Sequence, residues 1–373
     1  MSSPASDPSP FQLSCTPALP ELLTKLECTI ALTTYQAGKL VFVSPQSEEQ
    51  LVQLLRSFER PMALRWNDGV LMLSTNSTVE FFADDIRMAS NYPRQSDTYD
   101  HLYLPRRTVQ TGRLDIHGLG WDQDGSVWII NTRFSCLAKL SDRFCFESVW
   151  SPPFIADLVP EDRCHVNGVA FRDGKPIYAT CLSATDEQEG WRKALPDNGV
   201  LVDVESNEVI IDGLAMPHTP LFVGDTLYML LSATGELVRV EPDSGRYSVV
   251  EKVGGFVRGM AYHRSHLFIA HSKLRRNSST FRDLPIANEA TEAGVAVIHE
   301  PTGTLVGRLT YRQSVDEIFD VAVLPGQVRP GIVGLDRIER QTAITMPERS
   351  YWVVRRAEEE ESAGSAPNEG TSL

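Results

Sequence analysis

Ile116-His117-Gly118-Leu119-Gly120-Trp121 runs into the turn Asp122-Gln123-Asp124-Gly125 and then the apolar stretch Val127-Trp128-Ile129-Ile130. A short strand, a glycine turn and a second strand make a β-hairpin, and this one is repeated along the chain. Five further copies of the first segment start at Pro61, Val166, Pro217, Val257 and Ile318: PMALRW, VNGVAF, PHTPLF, VRGMAY and IFDVAV. Five of the six end in an aromatic residue, and several are followed by the same turn, as in Arg172-Asp173-Gly174 before Ile177-Tyr178. Their second positions, Met62, His117, Asn167, His218, Arg258 and Phe319, lie 40 to 61 residues apart. That is the period of a four-stranded propeller blade, a sheet too small to bury both faces unless its neighbours stack around an axis. Six copies predict an all-β fold, a six-bladed β-propeller. Seven blades is the alternative, because the last interval is long; the polar, turn-like stretch 277–292 reads instead as an insertion.

Working outward, residues 1–16 are poor in apolar side chains, and residues 357–373 begin with Glu358-Glu359-Glu360-Glu361 and pass into Ser, Gly, Pro and Asn. Both ends read as disordered tails around a single propeller domain, 17–356. Pro20 to Leu26 reads as a short amphipathic helix or part of an outer strand. The strands around 33–43 and 351–354 are expected to close the ring.

The chain has 373 residues, is 42% hydrophobic and carries a net charge of -14. This acidity argues against nucleic acid and acidic membranes, which need clustered Lys and Arg; Lys273-Leu274-Arg275-Arg276 reads as a solvated loop. No stretch approaches the ~20 apolar residues of a membrane span, and the first residues lack the features of a secretory leader. Six cysteines without a C-x-x-C pair read as reduced thiols, and the expected location is cytoplasmic.

In a propeller the first strand of each blade lines the central channel, so equivalent repeat positions become neighbours. His117, Asn167, His218 and Arg258 would then share one wall, and strand alternation adds the positions two earlier, Asp115, His165, Met216, Phe256 and Glu317. Packing alone does not call for so many polar groups. His117, His165, Asn167 and His218 are the candidate metal ligands, and Asp115 and Glu317 the candidate catalytic bases. Asn131, Arg133, Trp191, Arg192, Arg258 and His271 are the candidate ligand-binding residues, with Trp191 and Arg192 in a loop able to cover the channel. Structural readings stand beside these: Asn167 precedes a glycine and suits a turn, Asp115 suits a loop cap, and Arg258 suits an ion pair with Glu317. No G-x-S-x-G elbow, P-loop, G-x-G-x-x-G after a strand or H-E-x-x-H is present.

The segment His165-Val166-Asn167-Gly168-Val169-Ala170-Phe171-Arg172-Asp173-Gly174 with Tyr178 resembles the blade motif of gluconolactonase-, regucalcin- and strictosidine-synthase-like propellers. The resemblance implies a divalent metal on the axis held by Asn167; the other ligands of those families do not map, Met62 and His218 standing where oxygen ligands would be. Over nearly the whole globular part the chain also resembles a family of conserved hypothetical propeller-like bacterial proteins with a domain of unknown function. That likeness is carried by residues 34–40, 131–137, 160–168, 216–218 and 320–326.

Two functional classes remain open at this point. One is a lactonase-like hydrolase using a divalent ion, Zn, Fe or Mn rather than Ca given the imidazoles. The other is a non-catalytic module that binds a small anionic molecule, a sugar or a peptide end, or serves as a protein-interaction scaffold. The oligomeric state is not legible.

Overall fold

The computed structural model describes residues 10–274, 280–281 and 283–353. Six four-stranded antiparallel units form the ring, and the innermost strands are Leu64–Asn67, Ile116–Trp121, Val166–Arg172, Pro217–Val223, Phe256–His263 and Asp320–Pro325. These are the six repeat copies, in order, so the period did locate the blades. Each inner strand touches the next around the ring, and the last, Asp320–Pro325, touches the first, Leu64–Asn67. We number the blades one to six from Leu64.

Blade six is assembled from both ends of the chain. Asp320–Pro325 pairs with Cys28–Thr34, which pairs with Lys39–Pro45 and then Leu51–Ser57. Closure therefore joins residues almost 300 apart in sequence, a costly loop to close but one that locks the ring once made. The expectation that residues 351–354 complete the ring is corrected here. Ser350–Trp352 pairs only with Ala343–Thr345, and this hairpin lies against the outside of blade one, where Trp352 meets Tyr92. Residue 354 lies outside the described residues.

The predicted amphipathic helix is present as Leu19–Leu26, with Leu19, Leu23 and Leu26 buried against blades five and six. The tail assigned to residues 1–16 is shorter than expected. Leu13–Cys15 adds a fifth strand to the outer edge of blade five, pairing with Leu309 to Tyr311. An edge strand offers unpaired backbone groups, and the partly buried Phe11, Leu13 and Cys15 supply apolar contact beside it. Residues 1–9 and the acidic segment 357–373 lie outside the described residues. Part of the stretch 277–292 is described, with a helical turn at Pro285–Asn288 packed onto the core between blades three and four through Leu284, Ile286 and Ala290.

Between blades the core is made of alternating strand residues, but the inner ends of the junctions use hydroxyls. Thr33 Oγ1 donates to Met62 O at 2.6 Å, Ser74 Oγ to Ile116 O at 3.2 Å and Thr132 Oγ1 to Val166 O at 2.6 Å. Ser232 Oγ donates to Val257 O, and Ser272 Oγ to Ile318 O at 3.1 Å. Each hydroxyl sits at or near the end of a second strand and reaches the first strand of the next blade. Where blade three meets blade four, the position equivalent to Thr132 is Leu182, judged by the register of Cys181 with Val166 and of Asn131 with Ile116. The Ser272 link is reciprocal, because Ile318 N donates back to Ser272 Oγ at 3.0 Å. Ser272→Ala strands both groups in a buried place, and we expect it to destabilise the protein by about 1–3 kcal/mol. A urea titration reads this directly; an unchanged midpoint would show that the hydroxyl links are incidental.

Candidate functional site: the axial channel

The inner strands do not alternate regularly at the point that matters. The ladder gains one residue between Ile116 and Gly118, Val166 and Gly168, His218 and Leu221, and Val257 and Met260. These are β-bulges, and a bulge re-aims the side chain it carries. His117, Asn167, His218 and Arg258 each sit at or beside one, and all four line the axial channel. The residues two positions earlier are not strand neighbours as alternation predicted. Asp115, His165 and Met216 adopt left-handed backbone, with φ of 51°, 54° and 57°, and each immediately precedes its strand. Met216 points into the core; Asp115 and His165 reach the channel mouth.

The channel has two compartments. The upper, of about 310 Å³, opens among the loops that lead into the inner strands; the lower, of about 350 Å³, runs down between the strands. His117, Arg258 and Phe319 line both and form the waist. Both volumes fall in the range of small-molecule sites.

The two histidines of the wall are set in the same way. His117 Nδ1 lies 2.8 Å from the Asp115 carbonyl and 2.7 Å from Thr132 Oγ1. His218 Nδ1 lies 3.1 Å from the Met216 carbonyl and 2.7 Å from Ser232 Oγ. A carbonyl only accepts, and each hydroxyl spends its proton on the next blade, so Nδ1 carries the hydrogen in both rings. Nε2 is then a bare acceptor. Burial pushes both imidazoles well below their ordinary value; the neighbouring His165 lowers His117 further, and Arg258 lowers both. Both rings are therefore neutral at pH 7.

Asn167 is buried, and its Oδ1 accepts from Thr180 Oγ1 at 2.7 Å. Its Nδ2 is buried with no partner among the described residues, and the same holds for Arg258 Nε. The Arg258 guanidinium is otherwise well held. Nη1 meets Glu317 at 2.6 Å, and the group lies over Phe256 and Phe319 at 5.0 and 5.2 Å. Glu317 also accepts from Gln36 Nε2 at 2.9 Å. The expected Arg258–Glu317 ion pair thus exists.

Around the upper mouth, Asp115 pairs with Arg133 at 2.6 Å. His165 Nδ1 lies 2.9 Å from Asp162, which also accepts from Trp191 Nε1 at 3.0 Å. Trp191 is buried, its ring centroid 4.3 Å from that of His165, and Arg192 lies over it at 4.3 Å. Trp191 therefore belongs to the wall, fixed by a hydrogen bond, while Arg192 forms the outer rim with Glu189 at 3.0 Å.

Two candidate binding residues lie elsewhere. Asn131 is buried at a turn, where its Oδ1 accepts from Phe134 N at 3.2 Å, and it lines neither compartment. His271 is buried inside blade five between Glu292 O and Arg308 Nη1, at 3.2 and 3.1 Å, its pKa lowered by burial to about 4. Both stand at second-strand ends: the Asn131 side chain closes the turn that follows its strand, and the His271 side chain lies between Glu292 and Arg308 within its own blade. Sequence reasoning missed Asp162, Tyr35, Arg65 and Asp320, which line the channel. Asp162, three residues before His165, was the most legible of these.

The lactonase-type metal requires Asn167 to offer an oxygen to the axis. In this structure that oxygen accepts from Thr180, and the amide nitrogen is left without a partner among the described residues. Among the described residues no group of three or more His, Cys, Asp or Glu side chains is placed to hold a metal ion. None of the helices among the described residues is long and apolar enough to cross a membrane.

A closed ring of six blades with polar side chains re-aimed onto its axis defines the class: this is a six-bladed β-propeller with a polar channel. Residues 17–333 match the family described as a domain of unknown function (DUF4915), and the chain belongs to that family. A solved structure described as a nidogen/laminin complex is similar at 10% identity, with a TM-score of 0.51, over 80% of this chain and 99% of that one, a likeness of fold. No curated protein matches the chain.

Proposed function

We propose that this protein is a small-molecule-binding propeller whose ligand enters the upper mouth and is read at the waist of the channel. The observation that carries this is the pair of neutral imidazoles, His117 and His218, on the wall of a cavity of ligand size: each has its Nδ1 hydrogen committed to a main-chain carbonyl, which leaves Nε2 as an acceptor. The aromatic faces of Trp191, Phe256 and Phe319 supply the apolar contact such sites use. Metal-assisted hydrolysis has less support, since the two carboxylates considered as bases, Asp115 and Glu317, are each held by an arginine at 2.6 Å.

The test is a thermal-shift screen of small polar compounds in the presence and absence of EDTA, with metal content measured on the same protein. We expect at least one stabilising compound, an effect that survives EDTA, and its loss in Asn167→Ala and Arg258→Met. Stoichiometric divalent metal, or stabilisation that EDTA removes, would overturn the reading in favour of metal chemistry.

A further inference from the structure

One charged side chain of the channel plays no part at the waist. Arg65, on the inner strand Leu64–Asn67 of blade one, lines the lower compartment and is exposed there. Among the described residues its guanidinium has no hydrogen bond or ion pair, and the one charge that bears on it is the Asp320 carboxyl. That carboxyl is already committed. It accepts from Leu64 N and Val321 N, both at 2.8 Å, and burial raises its pKa to about 7, so near neutral pH it carries only part of a charge. The other arginine of the compartment, Arg258, is paired with Glu317 at 2.6 Å, and the imidazoles of His117 and His218 are neutral. The lower compartment therefore carries excess positive charge, and that charge sits on Arg65. Burial lowers the pKa of this guanidinium, because the surrounding blades separate it from bulk water, yet an arginine stays charged. A charge taken out of water without a partner is costly.

Packing does not ask for this charge. Arg65 stands at the fifth repeat position, where the other five copies have Gly120, Ala170, Leu221, Ala261 and Ala322. Small or apolar side chains serve in every other blade, and Leu221, Ala261 and Ala322 line the same compartment as Arg65. Blade one alone places a cation there, a cost in stability of the kind that functional sites carry. The sixth repeat position supplies the surroundings, since Trp66, Phe171, Phe222 and Tyr262 also line the lower compartment. Aromatic walls around one free guanidinium suit a molecule with an apolar body and a single acid group. A carboxylate meets the planar fork of arginine with two parallel hydrogen bonds and cancels its charge. A phosphate monoester brings ~1.5–2 negative charges at neutral pH, and part of that charge would stay uncompensated beside one free cation.

We propose that the lower compartment binds a small monocarboxylate with an apolar body, its carboxylate paired with the Arg65 guanidinium and its body against the aromatic residues of the sixth repeat position. This names a ligand class for the same channel and to that extent rests on the binding reading above; it stands on Arg65, which that reading does not use.

The full chain is titrated calorimetrically in bis-Tris at pH 6.5, where the Asp320 carboxyl is mostly protonated, with benzoate, phenylacetate, 3-phenylpropionate and hexanoate. The matching amides remove the charge, benzylamine reverses it and phenyl phosphate increases it. At least one carboxylate should bind saturably and at least tenfold tighter than its amide. Arg65→Gln should weaken that binding at least tenfold, and Arg65→Lys, which keeps the charge but not the fork, should weaken it less. Without ligand, Arg65→Gln should melt no lower than the parent, because the variant sheds an unpaired charge. A melting temperature more than about 5 °C lower would show that Arg65 holds the blades together, and would overturn the proposal. Equal binding of acid and amide, tighter binding of phenyl phosphate or benzylamine, or no saturable binding of any carboxylate up to about 20 mM would each overturn the ligand class. The channel reading is judged separately: a compound that stabilises the parent and Arg65→Gln alike keeps the channel as a site and removes the monocarboxylate from it.

Discussion

Gly168→Ala is expected to destabilise the protein by about 2–4 kcal/mol and to abolish whatever the channel binds. A Cβ at Gly168 falls 2.5 Å from Pro220 Cδ, 2.6 Å from Thr180 Oγ1 and 2.8 Å from Thr219 N. The proline ring and the backbone nitrogen belong to the inner strand of the next blade, and neither can swing aside as a flexible side chain can. This is also the junction where Leu182 stands in place of the hydroxyl link, so the blades here meet by close backbone approach. Pushing them apart moves Asn167 and His218, the residues on either side of the contact. The measurement is a urea titration followed by two-dimensional NMR or a ligand screen on the folded fraction. A midpoint within 0.5 kcal/mol of the parent's would mean that the two blades have slack the structure does not show, and the rigid-waist picture would have to go. A Cβ at Gly259 would fall 2.6 Å from Asp320 Cα, so the glycine at the third repeat position has one physical reason at two junctions.

The second large effect concerns Asp320, which occupies that same repeat position in blade six. Its carboxylate accepts from Leu64 N of blade one and from Val321 N, both at 2.8 Å, and so fastens the closing blade to the first. Burial nonetheless dominates and pushes its pKa up to about 7, against the opposing influence of those N–H groups and of Arg65. In the unfolded chain the group releases its proton near pH 4. Between these values the folded protein holds a proton that the unfolded chain does not, so stability falls as pH rises from about 4 to 7 and then levels off. At about 1.4 kcal/mol per pKa unit the change is on the order of 4 kcal/mol. Other carboxylates titrate in the same window, and comparison with Asp320→Asn cancels them. We expect the stability of the parent relative to the variant to decline by a few kcal/mol between pH 4 and pH 7.5. Parallel stability curves for the two proteins would show that the backbone donors outweigh burial and that Asp320 is ionised throughout.

These two positions show where sequence reading succeeds and where it stops. Both were visible as the third residue of a repeat. That one is a contact point between blades and the other a carboxylate fastened to the first blade was not visible, because the partner of each lies on an inner strand some 50 or 250 residues away. The same holds for the site. His117, Asn167, His218 and Arg258 were brought together correctly by the period. The rule of strand alternation then failed for Asp115, His165 and Met216, which stand in left-handed backbone before their strands, while Asn131 proved to close its own turn and His271 to lie inside blade five.

What the amino-acid order decided alone was the number of blades and the identity of the residues at the start of each inner strand, since a repeating hydrophobic and turn pattern is a local property of each blade. Only the tertiary structure decided how the ring closes, which lone pair or hydrogen each channel side chain presents, and which charges cancel. Those depend on bulges and on hydroxyls supplied by adjacent blades, contacts whose geometry is set by packing between segments far apart in the chain.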